Sequence, residues 1–286
     1  MCEADDPLPP AGALSRRRFA ALGAAAGLVA ALPAGATPPP LLTRRSVVIQ
    51  TADGALDAFF VHPTTGAHPA AVIWPDILGL RPATEALAER LADAGNAVLV
   101  VNPYYRTARA PVVAPGASFA DPEVKAKVLP LKATLSAATD AVDGPAALEW
   151  LDQQPAVDAA RPAATFGYCM GGPSAVRLAA ARPARVRALA SFHGAGLVTA
   201  AADSPHLLLP QLQGGAHFAV AQNDDQRDPK GTATLREACA ATGRPAAVEV
   251  YPADHGWCAP DSPAHHPGEA DRAWAAALRL LRPAGP

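Results

Sequence analysis

Cys169 stands in Gly167-Tyr168-Cys169-Met170-Gly171-Gly172, which continues the apolar run Ala163 to Gly167 and passes straight into a stretch of helical character. The pattern G-x-C-x-G-G has the form of a strand-to-helix elbow with a cysteine at its apex. Flanking glycines permit a strained turn with no side chain blocking the approach, which would lift Sγ of Cys169 above the sheet edge as a nucleophile. A helix N-terminus beneath it favours the thiolate, and the backbone N–H of Met170 is the natural donor to an oxyanion. The plainer alternative is a small buried thiol beside a packing turn.

A thiol attacking an ester needs a general base, and of the eight histidines only two end a strand. His255 lies just past the run ending at Tyr251, in Tyr251-Pro252-Ala253-Asp254-His255-Gly256, and is expected to be the base. His193 closes Ala188 to His193 and reads as a pocket wall or a hydrogen-bonded core histidine; His217 begins a strand and reads as structural. His265 and His266 are adjacent in a Pro-rich loop, poorly placed to share one ion, so neither a metal nor another cofactor is expected. The base needs a carboxylate to fix its tautomer. The run His217 to Gln222 ends in Asn223-Asp224-Asp225, and Asp224 is preferred over Asp225 because it lies nearer the strand end; Asp225 reads as a helix-capping aspartate. Cys169, Asp224 and His255 then follow the nucleophile, acid, base order of α/β-hydrolases.

These residues need a sheet to hold them. Val47 to Gln50 and Leu56 to Val61 read as a hairpin around Asp53-Gly54. Ala70 to Trp74, Ala97 to Val101, Ala163 to Gly167, Ala188 to His193, His217 to Gln222 and Ala246 to Tyr251 are short apolar runs without alternation, as in strands buried on both faces. Helical patterns lie between them: Pro82 to Ala94, a long stretch within Pro122 to Gln153, Gly172 to Ala181, Pro229 to Thr242 and Gly268 to Leu281. Such alternation specifies an α/β fold, a mostly parallel sheet with helices on both faces, whose strand carboxyl ends collect the chemistry.

Trp74-Pro75-Asp76-Ile77-Leu78-Gly79-Leu80, the Cys169 elbow, Asn223-Asp224 and His255-Gly256 together resemble the dienelactone hydrolases over about residues 44–282. The resemblance implies an α/β-hydrolase fold and a carboxylic ester hydrolase of the carboxymethylenebutenolidase kind. It further implies an acyl-enzyme on Cys169, with the N–H groups of Met170 and Ile77 as oxyanion hole. Asp76 falls where that family usually has a glutamate contacting the resting thiol; the other reading of Asp76 is a turn residue before the Pro82 helix. Trp74, Tyr105, His193 and Trp257 are expected around the pocket. Members of the family hold a substrate carboxylate with arginines, one of them shortly after the catalytic histidine, where this chain has Gly256-Trp257-Cys258-Ala259 and no cation. Arg81, Arg106 and Lys125 are the cations that could substitute. The expected substrate is therefore a small ester, lactone or thioester in the broad sense rather than dienelactone itself.

Ahead of this domain, Ser15-Arg16-Arg17-Arg18-Phe19 precedes the uncharged run Ala20 to Leu32 and then Ala34-Gly35-Ala36, an A-x-A cleavage pattern. Residues 1–36 resemble a twin-arginine signal, which implies passage through that export machinery and a periplasmic or extracellular mature protein. The apolar run is 13 residues long, against the roughly 20 that a membrane-spanning helix needs, so no stable span is expected. A Pro-rich linker, 37–43, and one domain, 44–286, follow. Removing 1–36 takes away three basic and three acidic residues, so the net charge of −2 is unchanged in the remaining 250 residues. With that charge, no basic surface for a nucleic-acid backbone is expected. Cys169, Cys239 and Cys258 remain, an odd number, so at least one thiol is free.

Two other functions fit parts of the sequence. A binding protein could keep the fold without the activity, although no triad member is missing. A thiol redox protein would use Cys169, yet there is no C-x-x-C motif.

Overall fold

The computed structural model describes residues 40–281; the expected signal, 1–36, lies outside them. The chain opens with β1 (Leu42–Thr51) and β2 (Gly54–Pro63), paired antiparallel from Leu42 opposite Pro63 to Thr51 opposite Gly54. The hairpin is longer than its apolar residues suggest, because β1 is an edge strand that buries little beyond Ile49 and carries polar residues along its outer side. It also begins at Leu42, inside the stretch read as linker.

The remaining strands are β3 (Ala70–Trp74), β4 (Ala97–Val101), β5 (Ala163–Tyr168), β6 (Val186–Phe192), β7 (Gly215–Ala221) and β8 (Ala246–Tyr251). They form one eight-stranded sheet in the order β1-β2-β4-β3-β5-β6-β7-β8, parallel from β4 through β8. Among the described residues seven α-helices pack around it: α1 (Pro82–Asp93), α2 (Pro122–Ala133), α3 (Ala137–Asp152), α4 (Gly171–Ala181), α5 (Gln222–Arg227), α6 (Pro229–Ala241) and α7 (Pro267–Leu280).

The helical stretch within Pro122 to Gln153 is two helices. Ser136 adopts an extended backbone at φ −154° and its side chain accepts from Thr139 N, while Thr139 Oγ1 accepts from Ser136 N. This capping box starts α3 afresh and ends any continuation of α2. Asp228, rather than Asp225, caps α6, its side chain accepting from Gly231 N at 2.9 Å.

Strand residues alternate between two cores, as a pleat buried on both faces requires. Val72, Trp74 and Leu99 face one core with Leu148 and Leu151 of α3, Val176 of α4 and Leu235 of α6. Ile73, Val100 and Phe166 face the other with Leu87 and Leu91 of α1 and Trp274 of α7. Each large apolar side chain fully buried in this way contributes about 1.5–3 kcal/mol, so the twofold alternation sets the register. A third, smaller cluster of Leu78, Tyr104, Val112, Val128 and Leu131 ties the loops after β3 and β4 to α2, with Ile77 and Met170 packed against it.

Candidate active site

The turn after β5 is a true elbow. Cys169 has φ 51°, a left-handed conformation that costs a non-glycine residue about 1–3 kcal/mol and persists only when its surroundings impose it. They do so through hydrogen bonds: Cys169 N donates to Phe192 O at 3.0 Å, while Gly172 N and Ala195 N donate to Cys169 O at 3.1 and 3.0 Å. Close packing supplies the rest. A Cβ on Gly167 would overlap the Gly171 carbonyl, and one on Gly171 would overlap Trp74 O and Pro75 O. The elbow therefore sits directly against the end of β3, which brings Met170 and Ile77 together.

Tyr104, at the loop after β4, joins these two residues. Its hydroxyl donates to Ile77 O at 2.8 Å and lies 3.3 Å from Met170 Sδ. Burial, first of all, together with the nearby Asp76 and Cys169, drives its pKa upward, so it remains a neutral donor. Among the described residues the backbone N–H groups of Ile77 and Met170 have no acceptor, as donors reserved for an oxyanion would require.

His255 comes from the loop after β8, and its Nδ1 lies 2.5 Å from Oδ2 of Asp224, in the first turn of α5 directly after β7. Asn223 Oδ1 accepts from His255 N at 2.9 Å and anchors the loop. The other Asp224 oxygen, Oδ1, lies 3.1 Å from Arg227. Burial disfavours the imidazolium, but the Asp224 hydrogen bond and the adjacent Cys169 sulfur outweigh it, raising the His255 pKa to about 10. Cys169, Asp224 and His255 thus meet at the carboxyl ends of β5, β7 and β8, and of the aspartate pair it is Asp224 that reaches the histidine. Cys169 is partly exposed, whereas Cys239 and Cys258 are buried; all three are free.

Above them lies a cavity of about 510 Å³ lined by Cys169, His193 and His255, with Ile77, Leu78, Phe119, Ala259 and Pro263 among its apolar wall. His193 is 1% exposed and adopts φ 41°. Its ring stands edge-on to that of His255, centroids 4.9 Å apart. Burial, and secondly the charge of His255, hold its pKa far below the usual imidazole value, so it is neutral.

Three residues expected at the pocket are elsewhere. Trp74 points into the core on the α3 and α4 face and its Nε1 donates to Thr165 at 3.0 Å. Tyr105 is buried in the same core, its hydroxyl donating to Asp143 at 2.9 Å. Trp257 is fully buried, stacked on Tyr251 and edge-on to His193, so it backs the pocket wall without lining it. In each case a large ring gains more by full burial than at a cavity surface.

The expected contact between Asp76 and the thiol is likewise replaced. Asp76 Oδ1 accepts from Arg81 at 2.7 Å and from Leu78 N at 2.9 Å, and Oδ2 accepts from Arg81 at 2.9 Å. The short aspartate side chain, five residues before Arg81, closes on that guanidinium, and none of its hydrogen bonds goes to Cys169. Arg106 pairs with Asp53 and Asp143, away from the cavity. Among the described residues there is no cluster fit for a metal ion, and no helix is long and apolar enough to cross a membrane.

Solved structures share this architecture. A promiscuous phosphotriesterase from metagenomic libraries, itself dienelactone hydrolase-like, is 23% identical, with 84% of this chain and 97% of that one covered at a TM-score of 0.67. A dienelactone hydrolase from Anabaena variabilis ATCC 29413 is 19% identical, with 84% and 99% covered at 0.59. An acetyl xylan esterase from Paenibacillus sp. R4 is 16% identical, with 85% and 86% covered at 0.60. No curated protein matches the chain in sequence. The family model for dienelactone hydrolases matches residues 56–285, which takes in the elbow, both loops that meet it and all of the sheet but β1 and the first two residues of β2. The chain belongs to the dienelactone hydrolase family.

Proposed function

We propose that the chain hydrolyses small carboxylic esters or lactones through an acyl-enzyme on Cys169, with His255 as acid and base and Asp224 as its orienting carboxylate. The observation that carries this is the meeting of the Cys169 elbow with the Asp224–His255 pair at one cavity. With Nδ1 held by Asp224, the second ring nitrogen, Nε2, is the one that exchanges a proton with the thiol. The thiolate attacks the acyl carbon, and the carbonyl electrons move to an oxyanion that accepts from Met170 N and Ile77 N. Collapse breaks the bond to the leaving oxygen, which takes the proton from His255. Water then gives a proton to His255 and attacks the thioester; acid leaves and the thiol is restored. Acyl thioesters fit the same steps.

Cys169→Ala should lower hydrolysis of an activated aryl ester by on the order of 10⁴ while leaving the fold intact, because the attacking atom is gone and only binding and the oxyanion donors remain. Retention of more than about a tenth of the activity would overturn the assignment. The proposal extends to residues 1–36 as a twin-arginine export signal, on the strength of Arg16-Arg17 before Phe19. Replacing both arginines by lysine should keep the precursor in the cytoplasm; unchanged delivery would refute that route.

A further inference from the structure

We infer that the cavity selects uncharged, apolar esters and discriminates against substrates that carry a carboxylate, because Arg81 is locked as a strut across the cavity wall. The inference rests on the hydrolase reaction proposed above and names the substrate class of the same site.

Arg81 lines the cavity and is 5% exposed. A guanidinium has five N–H donors, and each is engaged. Nε donates to Asp261 Oδ2 at 2.7 Å and Nη2 to Asp261 Oδ1 at 2.8 Å. Nη1 donates to Asp76 Oδ1 at 2.7 Å and to Gly79 O at 3.1 Å, and Nη2 also donates to Asp76 Oδ2 at 2.9 Å. The two carboxylates come from different loops: Asp76 follows β3, and Asp261 lies in the loop between His255 and α7. Arg81 thus pins the loop that carries the lining residues Ala259, Pro263 and Ala264.

The charge of this cluster excludes an anion as firmly as its geometry does. Two carboxylates face one guanidinium, leaving a surplus negative charge at the wall. A substrate carboxylate would have to displace Asp76, which is buried and would keep only its bond from Leu78 N, or the more exposed Asp261, and a lost hydrogen bond to a charged group is costly. Apart from Arg81, the arginine that lines the cavity among the described residues is Arg227, whose side chain is 71% exposed and turned onto Asp224. Lys125 lies outside the lining, 5.4 Å over the ring of Phe119. Much of the remaining wall is apolar, including Ile77, Leu78 and Phe119, and suits an alkyl or aryl group.

The test compares para-nitrophenyl hexanoate with the para-nitrophenyl monoester of adipic acid, chains matched in carbon number, on the full protein. Wild type should favour the hexanoate in kcat/KM by on the order of tenfold or more, the worth of one unmet charged hydrogen bond. Asp261→Ala frees Nε and one Nη2 donor, turning Arg81 into an anion holder, and should shift the ratio toward the adipate by about tenfold. Asp261→Asn keeps the volume and one acceptor and should shift it in the same direction by less. Binding of the two matching para-nitroanilides, which turn over slowly, reads the same preference without hydrolysis. Absence of turnover of both esters would therefore count against the proposed reaction while the anilides still test the selectivity. Equal use or binding of the charged partner by wild type, or a ratio that neither Asp261 variant moves, would overturn the inference.

Discussion

Asp224 accepts from His255 Nδ1 at 2.5 Å across the gap between two neighbouring strand ends, and Asp225, one residue on, has no such partner. A single position in the first turn of α5 thus decides which carboxylate can fix the imidazole tautomer. Asp224→Asn should lower kcat for ester hydrolysis by on the order of 10³ or more, since an amide presents the wrong hydrogen-bonding group to Nδ1–H. Asp225→Asn should stay within about threefold of wild type, as surface changes away from such features have small effects. Steady-state kinetics of the two variants check both; the reverse order would place the acid at Asp225.

The His255 pKa, raised to about 10 against burial by Asp224 and Cys169, makes a pH prediction. A folded-state pKa above the unfolded value near 6.5 means that the charged imidazole stabilises the fold fully below about pH 6.5, and that this contribution is lost as pH rises through about 10. The His255 ring resonance should therefore show no midpoint between pH 6 and 8, and Asp224→Asn should move its midpoint down toward about 6.5. A wild-type midpoint near 6.5 would show that the two partners do not hold the proton.

Tyr104 holds the carbonyl of Ile77, whose N–H is one of the two free donors at the elbow. Tyr104→Phe keeps the ring in its cluster with Leu78 and Val112 but removes that hydrogen bond. A bond of about 1 kcal/mol predicts a several-fold fall in kcat with KM little changed, because the oxyanion donor matters in the transition state. A rise in KM with kcat preserved would instead mean that Tyr104 shapes ground-state binding.

The sequence makes the inner parallel strands Ala70–Trp74 and Ala97–Val101 legible to the residue because both faces are buried and the runs are uniformly apolar; Ala246–Tyr251 is read as closely although it is an edge strand, only partly buried and carrying Glu249. It is a poorer guide to β1, whose exposed edge lacks that signal, and to α5, a six-residue helix of polar residues with no apolar face. Cys169, Asp224 and His255 can be located because each must follow a strand and their order is constrained. The Asp76–Arg81–Asp261 cluster is hidden, since Asp261 lies 180 residues beyond Arg81 and only the fold brings them together. Trp74, Tyr105 and Trp257 mislead for a related reason: proximity in sequence to the site does not say which face of the sheet a ring takes.

The central claim, covalent catalysis by Cys169, is tested most directly by rapid-quench mass spectrometry of the chain mixed with an activated aryl ester. The account predicts an acyl adduct of the mass of the acid less water, mapped to the peptide holding Cys169, formed in a burst and absent in Cys169→Ala. Turnover of the ester with no adduct on Cys169 at any time, together with a Cys169→Ala variant that remains active, would contradict it.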